Sequence, residues 1–199
     1  MTVQHHFAPA IAMPRPAPSD MLHSFPPLLP PQPRLLILGS MPGVASLQAR
    51  QYYAHPRNLF WRLLGDILQF DPTQPYPQRL AALTTASVAL WDVLRCCQRP
   101  GSSDQAIVMA SAQANAVAEL LTSQPGITGV LCNGATAKRL FERLIRPDLP
   151  PERLNLGVLQ LPSTSPAHAS MPYTAKLACW RAALESHLRP YPRPTPPAT

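Results

Sequence analysis

The sequence predicts an α/β fold, a three-layer αβα sandwich in which helices cover both faces of a four-stranded parallel sheet. Four short runs are continuously apolar, which is typical of strands buried on both faces. Segments with apolar residues at helical spacing separate these runs, so strand and helix alternate along the chain. With 199 residues, the chain is long enough for one such domain with a full hydrophobic core.

Each element follows from the local pattern of apolar residues. The four apolar runs predict strands at residues 34–39, 87–94, 127–133 and 154–162. Helical spacing predicts helices at residues 58–69, 77–85, within 105–124, 135–145 and 173–188. No segment repeats another, so the alternation describes a single domain.

Prolines mark the two ends of this domain. Nine of the 27 prolines lie in residues 1–33 and five more lie in residues 190–199. Proline-rich sequence without apolar periodicity nucleates neither helix nor sheet. We therefore expect a disordered proline-rich segment at residues 1–24, a folded domain at 25–189 and a proline-rich tail at 190–199.

The chain carries a net charge of +7, and all of its basic residues except Lys138 and Lys176 are arginines. The guanidinium group of arginine can donate two hydrogen bonds to phosphate oxygens and can stack on planar groups. This composition therefore favours binding to a nucleic-acid backbone. Genomic base composition is the alternative explanation. No apolar run reaches the roughly 18 residues of a membrane span, and the first residues lack a secretory signal pattern. We therefore expect a cytoplasmic protein without a membrane partner.

The cysteines form no CxxC pair and have no histidine at zinc-finger spacing. They are Cys96, Cys97, Cys132 and Cys179. An iron–sulfur cluster is disfavoured because two adjacent thiols point in opposite directions in an extended chain. We expect free thiols, no metal site and no cofactor.

Two chemically unusual loops, about 120 residues apart, each follow a predicted strand. The first loop is Gly39–Asn58, and the second loop is Leu161–Ala169. In an open parallel sheet the carboxyl ends of the strands meet at one crevice, where ligands bind. We therefore expect the two loops to form two walls of one active site.

The first loop starts with GSMPG, whose glycines and proline permit a tight turn that brings peptide N–H groups close to a ligand. It lacks the lysine of a Walker loop and the spacing of a dinucleotide-binding or serine-nucleophile motif. Its continuation crowds planar side chains together, which suits stacking on a nucleobase. We expect at least one of Tyr52 and Tyr53 to face the pocket. We expect Phe60 and Trp61 to pack the following helix against the core.

The second loop offers three hydroxyl groups between prolines, ahead of the last predicted helix. Hydroxyls and backbone N–H groups at a helix start bind phosphate without a lysine. A helix cap flanked by turn prolines is the alternative interpretation. His168 is expected to contact phosphate or donate a proton, with simple solvation as the alternative.

Taken together, the loops resemble the uracil-DNA glycosylase superfamily, and within it the hypoxanthine (deoxyinosine) DNA glycosylase branch. The resemblance covers residues 25–188 and rests on four stretches in the order of the family. These are GSMPGVASLQARQYYAHPRNLFW, WDVLRCCQRPGSSDQAI, LCNGATAKRLF and LPSTSPAHA. The resemblance implies a uracil-DNA glycosylase-like fold and a role in DNA base-excision repair.

The resemblance also implies roles for single residues. Related enzymes place an Asn where this chain has Met41, so Asn58, in the matching A-H-P-x-N-x-F-W segment, becomes the expected catalytic amide. The aromatic residue that stacks on the extruded base matches Tyr53. The expected base-binding residues are Gly39, Ser40, Met41, Pro42, Gly43, Tyr53, His55, Phe60 and Trp91. The expected DNA-binding residues are Ser163, Thr164, Ser165, Ala167 and His168.

Three positions depart from the uracil-specific relatives that the chain resembles. Ser163 stands where those enzymes keep a His or Asn, and Ala167 stands where the family often inserts a leucine wedge. The second predicted strand ends in Leu90, Trp91 and Asp92, where pyrimidine-specific relatives can place an Asn that reads the base edge. With Met41, the departures at Ser163 and the strand end favour hypoxanthine over uracil, whereas Ala167 implies that wedge insertion is weaker or is supplied elsewhere.

The expected reaction is hydrolysis of the N-glycosidic bond of a deaminated base, first of all hypoxanthine, in double-stranded DNA by a monomer. Neither loop contains a carboxylate, which disfavours a strong general base or a covalent carboxylate nucleophile. The absence of lysine near the loops predicts a monofunctional enzyme without a Schiff-base lyase step. The alternatives are a glycosylase of the same fold that prefers uracil or xanthine, and a non-catalytic nucleic-acid-binding module.

Overall fold

The computed structural model describes residues 21–188. The strands are β1 (Met21–His23), β2 (Leu35–Gly39), β3 (Val88–Asp92), β4 (Leu94–Gln98), β5 (Val108–Ala114), β6 (Gly129–Asn133) and β7 (Gly157–Leu161). The helices are α1 (Val44–Ala49), α2 (Phe60–Leu68), α3 (Tyr76–Thr85), α4 (Val117–Ser123), α5 (Ala135–Leu144) and α6 (Tyr173–His187). The disorder expected at residues 1–20 and 190–199 lies outside the described residues.

The main sheet has four parallel strands in the order β3-β2-β6-β7. Every residue of β2 and β3 is buried, as the continuous apolar runs predict. From β2 the chain crosses to β3 on one side, and it later returns to β6 on the other side. The connections therefore diverge between β2 and β6, and a crevice forms at the carboxyl ends of these strands.

Alternate residues of each strand supply two hydrophobic cores, one on each face of the sheet. Leu36 and Leu38 of β2 pack in the core that α4 and α5 complete. Leu35 and Ile37 pack in the core that α2, α3 and α6 complete. Helices thus cover both faces, which confirms the predicted α/β sandwich with a four-stranded parallel sheet. None of the helices in residues 21–188 is long and apolar enough to cross a membrane.

A second sheet, with β1, β4 and β5 paired antiparallel, is absent from the sequence prediction. The segment 105–124 is expected to contain a helix, but α4 forms only near its end and β5 takes the preceding residues. Its alanine-rich sequence favours a helix locally, and pairing with β4 overrides that preference. β1 begins at Met21, before the expected domain start at residue 25, because its backbone pairs with β4. The chain passes directly from β3 into β4 of this small sheet, and the residues that follow β4 contact the first loop.

Candidate active site

The carboxyl ends of the four parallel strands bring the candidate site together. Gly39 at the end of β2 pairs in register with Asp92 at the end of β3. Asn133 at the end of β6 pairs in register with Leu161 at the end of β7. The first loop leaves β2 and the second loop leaves β7 at this same edge. The crevice expected from the sequence therefore has four strand ends as its floor.

One backbone hydrogen bond joins the end of the first loop to the second loop, and two side-chain hydrogen bonds join the second loop to β6. The peptide N–H of Leu59, next to Asn58, donates to the carbonyl oxygen of Thr164 at 3.0 Å. The Asn133 amide donates to Thr164 Oγ1, and the Thr164 peptide N–H donates to Asn133 Oδ1, both at 2.9 Å. Thr164 is fully buried. Its side chain therefore ties the second loop to β6 and does not lie on the outer surface expected of a DNA contact.

Asn58 lies at the junction of the loops, immediately before α2. Its peptide N–H donates to the carbonyl oxygen of His55 at 2.8 Å, and its Oδ1 accepts from the peptide N–H of Phe60 at 3.0 Å. The second bond satisfies one of the free N–H groups at the helix start and fixes the orientation of the amide. The side-chain N–H2 group is thereby the part of Asn58 that is left to bind a ligand or water.

Of the two adjacent tyrosines, Tyr53 faces the strand ends. Its ring stacks on Phe60 with ring centres 3.8 Å apart, and its hydroxyl oxygen lies 3.1 Å from the position that a Cβ on Gly39 would take. Its φ of 54° lies in the left-handed region, a strained conformation that is found preferentially at functional sites. The hydroxyl is buried beside the side chain of Asn133. Tyr52 instead points into the core, where its hydroxyl donates to the carbonyl oxygen of Pro26.

Three residues that the sequence assigns to base binding lie behind the pocket wall. Phe60 is fully buried beneath the ring of Tyr53. Trp91 is buried, and its indole N–H donates to the carbonyl oxygen of Phe25 at 2.9 Å. Met41 is buried in the core that α4 and α5 complete. These side chains support the wall from behind and do not form its surface.

Arg99, just after β4, holds the GSMPG turn from behind. Its side chain is fully buried, and its guanidinium donates to the carbonyl oxygens of Met41, at 3.2 Å, and Pro42. The carbonyl oxygens of Gly39 and Ser40 accept hydrogen bonds from peptide N–H groups at the junction of β3 and β4. All four carbonyl oxygens from Gly39 to Pro42 are therefore engaged on the side of the turn that faces the small sheet.

Asp104 contacts the same turn and was missed by sequence reasoning. The Ser40 hydroxyl donates to its carboxylate, with Oγ 2.7 and 2.8 Å from the two oxygens, and Arg99 lies 3.7 Å away. Burial raises the pKa of Asp104, whereas the Ser40 hydrogen bond and the charge of Arg99 lower it. Ser40 and Asp104 are 64 positions apart, and GSSDQ has the composition of an ordinary polar turn. No local sequence pattern therefore indicates this contact.

Asp92 is a second carboxyl group at the first loop. It is 4% exposed, and its Oδ2 is buried without a hydrogen-bond partner in the described part of the chain. Its Oδ1 lies 2.3 Å from the position that a Cβ on Gly39 would take, so the carboxyl group fills the space left by that glycine. Burial raises the pKa of Asp92 to about 7, with the charge of Asp104 adding to the effect and Arg99 opposing it.

The two aspartates bring to the first loop carboxyl groups that neither loop contains itself. Neither lies in the first or the second loop, and both reach the first loop from neighbouring elements. Asp92 did leave a signal in the sequence, because a charged residue ends the buried apolar run VALWD. Only the register of β2 and β3 places that residue beside Gly39.

Lys176 of α6 holds the second loop from inside the protein. It is 1% exposed, and its ammonium group donates to the carbonyl oxygens of Ser163 at 2.7 Å and His168 at 2.6 Å. Burial lowers the pKa of Lys176. The expectation that no lysine lies near the loops is therefore wrong. The two carbonyl oxygens nevertheless hold the amine beneath the loop and away from its outer surface.

The outer face of the second loop carries hydroxyl groups. Ser163 and Ser165 are half-buried, and their hydroxyl oxygens accept from the peptide N–H groups of Ser165 at 3.2 Å and Ala167 at 3.3 Å. The proton of each hydroxyl can still be donated to a phosphate oxygen. Ala167 and His168 are exposed at the tip of the loop. The fold therefore brings four of the five expected DNA-binding residues to one outer surface.

A mainly apolar cleft of about 540 Å³ opens beside the candidate site. It is lined by Phe25, Pro26, Tyr52 and Tyr76, among others. It includes neither Asn58 nor the carboxyl groups at the strand ends. We therefore locate the active site by its converging polar groups at the strand ends, where the chemistry is available, and not by the size of the cleft.

Comparisons with known sequences agree with this geometry. The sequence profile of the uracil DNA glycosylase superfamily matches residues 26–186. A hypoxanthine DNA glycosylase from Methanosarcina barkeri is 40% identical over 123 residues, which cover 61% of this chain and 76% of that protein. A hypoxanthine DNA glycosylase from Methanosarcina acetivorans is 33% identical over 123 residues, with the same coverage.

A solved structure shows the same fold. The solution NMR structure of a candidate uracil DNA glycosylase from Methanosarcina acetivorans matches this structure with a TM-score of 0.69. The two sequences are 29% identical, and the match covers 83% of this chain and 98% of that chain. The family profile extends over most of the residues that form the sheet, the helices and both loops. The chain belongs to the uracil DNA glycosylase superfamily.

Proposed function

We propose that the protein is a DNA glycosylase that hydrolyses the N-glycosidic bond of hypoxanthine, the base of deoxyinosine, and leaves an abasic site in double-stranded DNA. The observation that carries this proposal is the position of Asn58 where the two loops meet, with its side-chain N–H2 group left for a ligand. Phe60 connects this amide to the Tyr53 ring, because it bonds to one and stacks on the other. The two Methanosarcina relatives are hypoxanthine DNA glycosylases, which supports the choice of base.

The second loop is the proposed contact to the phosphate backbone. The hydroxyls of Ser163 and Ser165 donate to phosphate oxygens, and His168 lies at the exposed tip beside them. The target nucleotide leaves the base stack at a cost of a few kcal/mol, which is smaller for a mispaired base such as inosine. Ala167 is too small to fill the gap in the duplex, so this loop stabilises the extruded state through the backbone.

Tyr53 is the proposed platform for the extruded base. Phe60 occupies one face of its ring, so the base stacks on the other face. Stacking of a base on an aromatic side chain contributes about 1–3 kcal/mol. The GSMPG turn and His55 complete the rim of the pocket, while Trp91 supports it from the core.

The proposed chemistry is a dissociative hydrolysis. The C1′–N9 bond breaks, and its electron pair goes to hypoxanthine. Water then adds its oxygen to C1′, and hypoxanthine takes up the proton that the water loses, so the products are the free base and an abasic sugar. The Asn58 amide orients this water or stabilises the departing charge, and peptide N–H groups near Ser40 and Met41 act in the same way.

Two substitutions support hypoxanthine over uracil. Met41 and Ser163 stand where the resemblance to uracil-specific enzymes calls for polar groups. Met41 is buried in the core and Ser163 is half-buried with its hydroxyl accepting from the loop backbone. A pocket without those polar groups gives a pyrimidine fewer hydrogen bonds.

Duplexes that each carry one inosine, uracil or xanthine test the proposed function. We expect base release from the inosine duplex, seen as strand cleavage after alkali, and no cleavage before alkali because Lys176 is held by loop carbonyl oxygens. Release of uracil or xanthine alone would overturn the assigned base. Binding without release of any base would support the non-catalytic module.

We also propose that the protein is cytoplasmic and acts as a monomer. One chain supplies both loops, so a second chain is not needed to form the site. Sedimentation with and without the duplex tests the oligomeric state.

A further inference from the structure

The segment Arg99–Asp104, between β4 and β5, contacts the GSMPG turn at three points. Arg99 donates to the two carbonyl oxygens in the middle of the turn. The carboxylate of Asp104 accepts from the hydroxyl of Ser40, near the start of the turn. The Ser102 hydroxyl oxygen accepts from the first peptide N–H of α1 at 3.0 Å, directly after the turn. One short segment outside both loops therefore holds the whole turn.

These contacts fix the direction of the peptide groups in the turn. The carbonyl oxygens from Gly39 to Pro42 all accept hydrogen bonds on the side of the small sheet. In a trans peptide the N–H group points away from the carbonyl oxygen of the same peptide plane. The small sheet adjoins β3, and β3 and β6 flank β2 on opposite sides. The peptide N–H groups of Ser40 and Met41 are therefore directed away from the small sheet and towards the crevice beside β6.

We propose that Asp104 is a positioning residue for base release, which acts through the Ser40 hydroxyl and keeps the peptide N–H groups of the turn directed at the departing charge. The inference rests on the proposed function and adds to it a residue outside both loops. Ser40 Oγ lies 2.7 and 2.8 Å from the two carboxylate oxygens, and hydrogen bonds to an ionised acceptor are roughly twice as strong as neutral ones. Arg99 lies 3.7 Å from the carboxylate, which is longer than a hydrogen bond. Ser40 is thus the part of the turn that Asp104 bonds directly.

The Ser40 side chain connects Asp104 to the peptide groups that the proposed mechanism uses. Loss of its hydrogen bond frees the side chain and allows the two adjoining peptide planes to rotate. A displacement of about 1 Å in a group that acts on the reaction costs about 10²-fold in rate. The remaining hydrogen bonds to the carbonyl oxygens limit that rotation. We therefore expect a loss of about 30-fold, which is smaller than the loss expected for a group that touches the substrate.

A double-mutant cycle tests whether Asp104 acts through Ser40. The measurement is single-turnover release of hypoxanthine at saturating inosine duplex, with DNA affinity measured separately. Ser40→Ala and Asp104→Ala should each be about 30-fold slower than wild type. The double variant should be within about threefold of either single variant, because all three lack the same hydrogen bond. Affinity for the duplex should change by less than about threefold, because the proposed phosphate contacts lie on the second loop.

Asp104→Asn separates the hydrogen bond from the charge. It keeps a carbonyl oxygen that can accept from Ser40, so its rate should lie within about fivefold of wild type. Both Asp104 variants should unfold at a lower temperature than wild type, because they leave the buried charge of Arg99 unpaired. Ser40→Ala retains this ion pair and should unfold near the wild-type temperature, so one stable variant also lacks the hydrogen bond. All rates are measured well below the lowest unfolding temperature.

Asp148→Ala is the matched control, because it removes an exposed carboxylate from the turn after α5 and should keep the wild-type rate and affinity. A double variant slowed by the product of the two single effects would overturn the inference, since Asp104 would then act independently of Ser40. So would an Asp104→Asn variant as slow as Asp104→Ala, or variants that bind DNA more weakly but keep the wild-type rate at saturation. No release from inosine DNA by the wild type would overturn the proposed function and this inference with it.

Discussion

The two loops of the site are held in place by different kinds of groups. The first loop is surrounded by buried ionisable side chains: Arg99 behind its carbonyl oxygens, Asp104 on Ser40 and Asp92 at its first residue. The second loop is held by a neutral side-chain pair and by one buried cation, Lys176, that binds only carbonyl oxygens. The hydroxyl groups of Ser163 and Ser165 remain on the outer surface.

This difference separates chemistry from binding. A loop that handles a departing base needs groups of fixed orientation and controlled protonation, because they act on charge that develops during the reaction. A loop that binds phosphate needs donors on its surface and no carboxylate beside them. Variants in the first loop should therefore lower the rate at saturating DNA, whereas variants that loosen the second loop should lower affinity.

The largest effect is expected at Asn58. Asn58→Ala removes the amide donor and should lower base release by about 10²–10³, in line with the loss of one well-placed polar group. Asn58→Asp has no N–H2 group but keeps an oxygen that can accept from the peptide N–H of Phe60. It should therefore preserve the start of α2 and lose activity to the same extent. Single-turnover excision with enzyme in excess measures the rate, and thermal unfolding checks the fold.

Two outcomes would contradict this role. Excision at the wild-type rate by Asn58→Ala would exclude Asn58 from the mechanism. Activity retained by the Asp variant and lost by the Ala variant would assign the effect to the side-chain oxygen, as a helix cap or as an acceptor for water, and not to the N–H2 group. Either result would remove the catalytic role from the N–H2 group of Asn58.

Lys176 provides the corresponding test of the second loop. Lys176→Met leaves two loop carbonyl oxygens without their donor, so the loop should lose its fixed conformation and bind DNA about tenfold more weakly, or about 1.4 kcal/mol. The excision rate at saturating DNA should change by less than about threefold. Lys138→Met is the control, because it removes the same charge from a surface ion pair with Glu142 on α5. Equal loss of DNA affinity in Lys176→Met and Lys138→Met would mean that only the lost positive charge matters. A lower excision rate at saturating DNA in Lys176→Met, with unchanged DNA affinity, would contradict the distinction between the two loops.

The sequence predicts most of the fold because the relevant signals are local. Buried parallel strands are continuous apolar runs, and the helices that cover them have apolar residues at helical spacing. The meeting of the two loops follows from the general geometry of parallel sheets, since both loops leave carboxyl ends of strands. The hydrogen bond from Leu59 to Thr164 shows that the end of the first loop meets the second loop, as this geometry predicts.

The sequence does not reveal the groups that approach the loops from other elements. Arg99 and Asp104 reach the GSMPG turn only because β4 and β5 pair in an antiparallel sheet, and the sequence of β5 favours a helix. Lys176 lies on α6, and its direction towards the second loop depends on how that helix packs. Such contacts depend on strand register and tertiary packing, which no local pattern encodes.

The smallest effect on excision is expected at Thr164, which lies between the two loops. Thr164→Val is close in size but leaves the half-buried Asn133 amide without its hydroxyl acceptor, at a cost of about 1–3 kcal/mol in the free energy of unfolding. Thr164→Ser keeps the hydroxyl and should stay close to wild type in thermal unfolding. The hydrogen bond from the Leu59 peptide N–H to the Thr164 carbonyl oxygen involves only backbone atoms. The loops should therefore remain joined in the Val variant, and excision well below the melting temperature should change by less than about threefold. If the folded Val variant lost excision as severely as Asn58→Ala, the Thr164 hydroxyl would take part in the chemistry, and the second loop could no longer be regarded as a binding element alone.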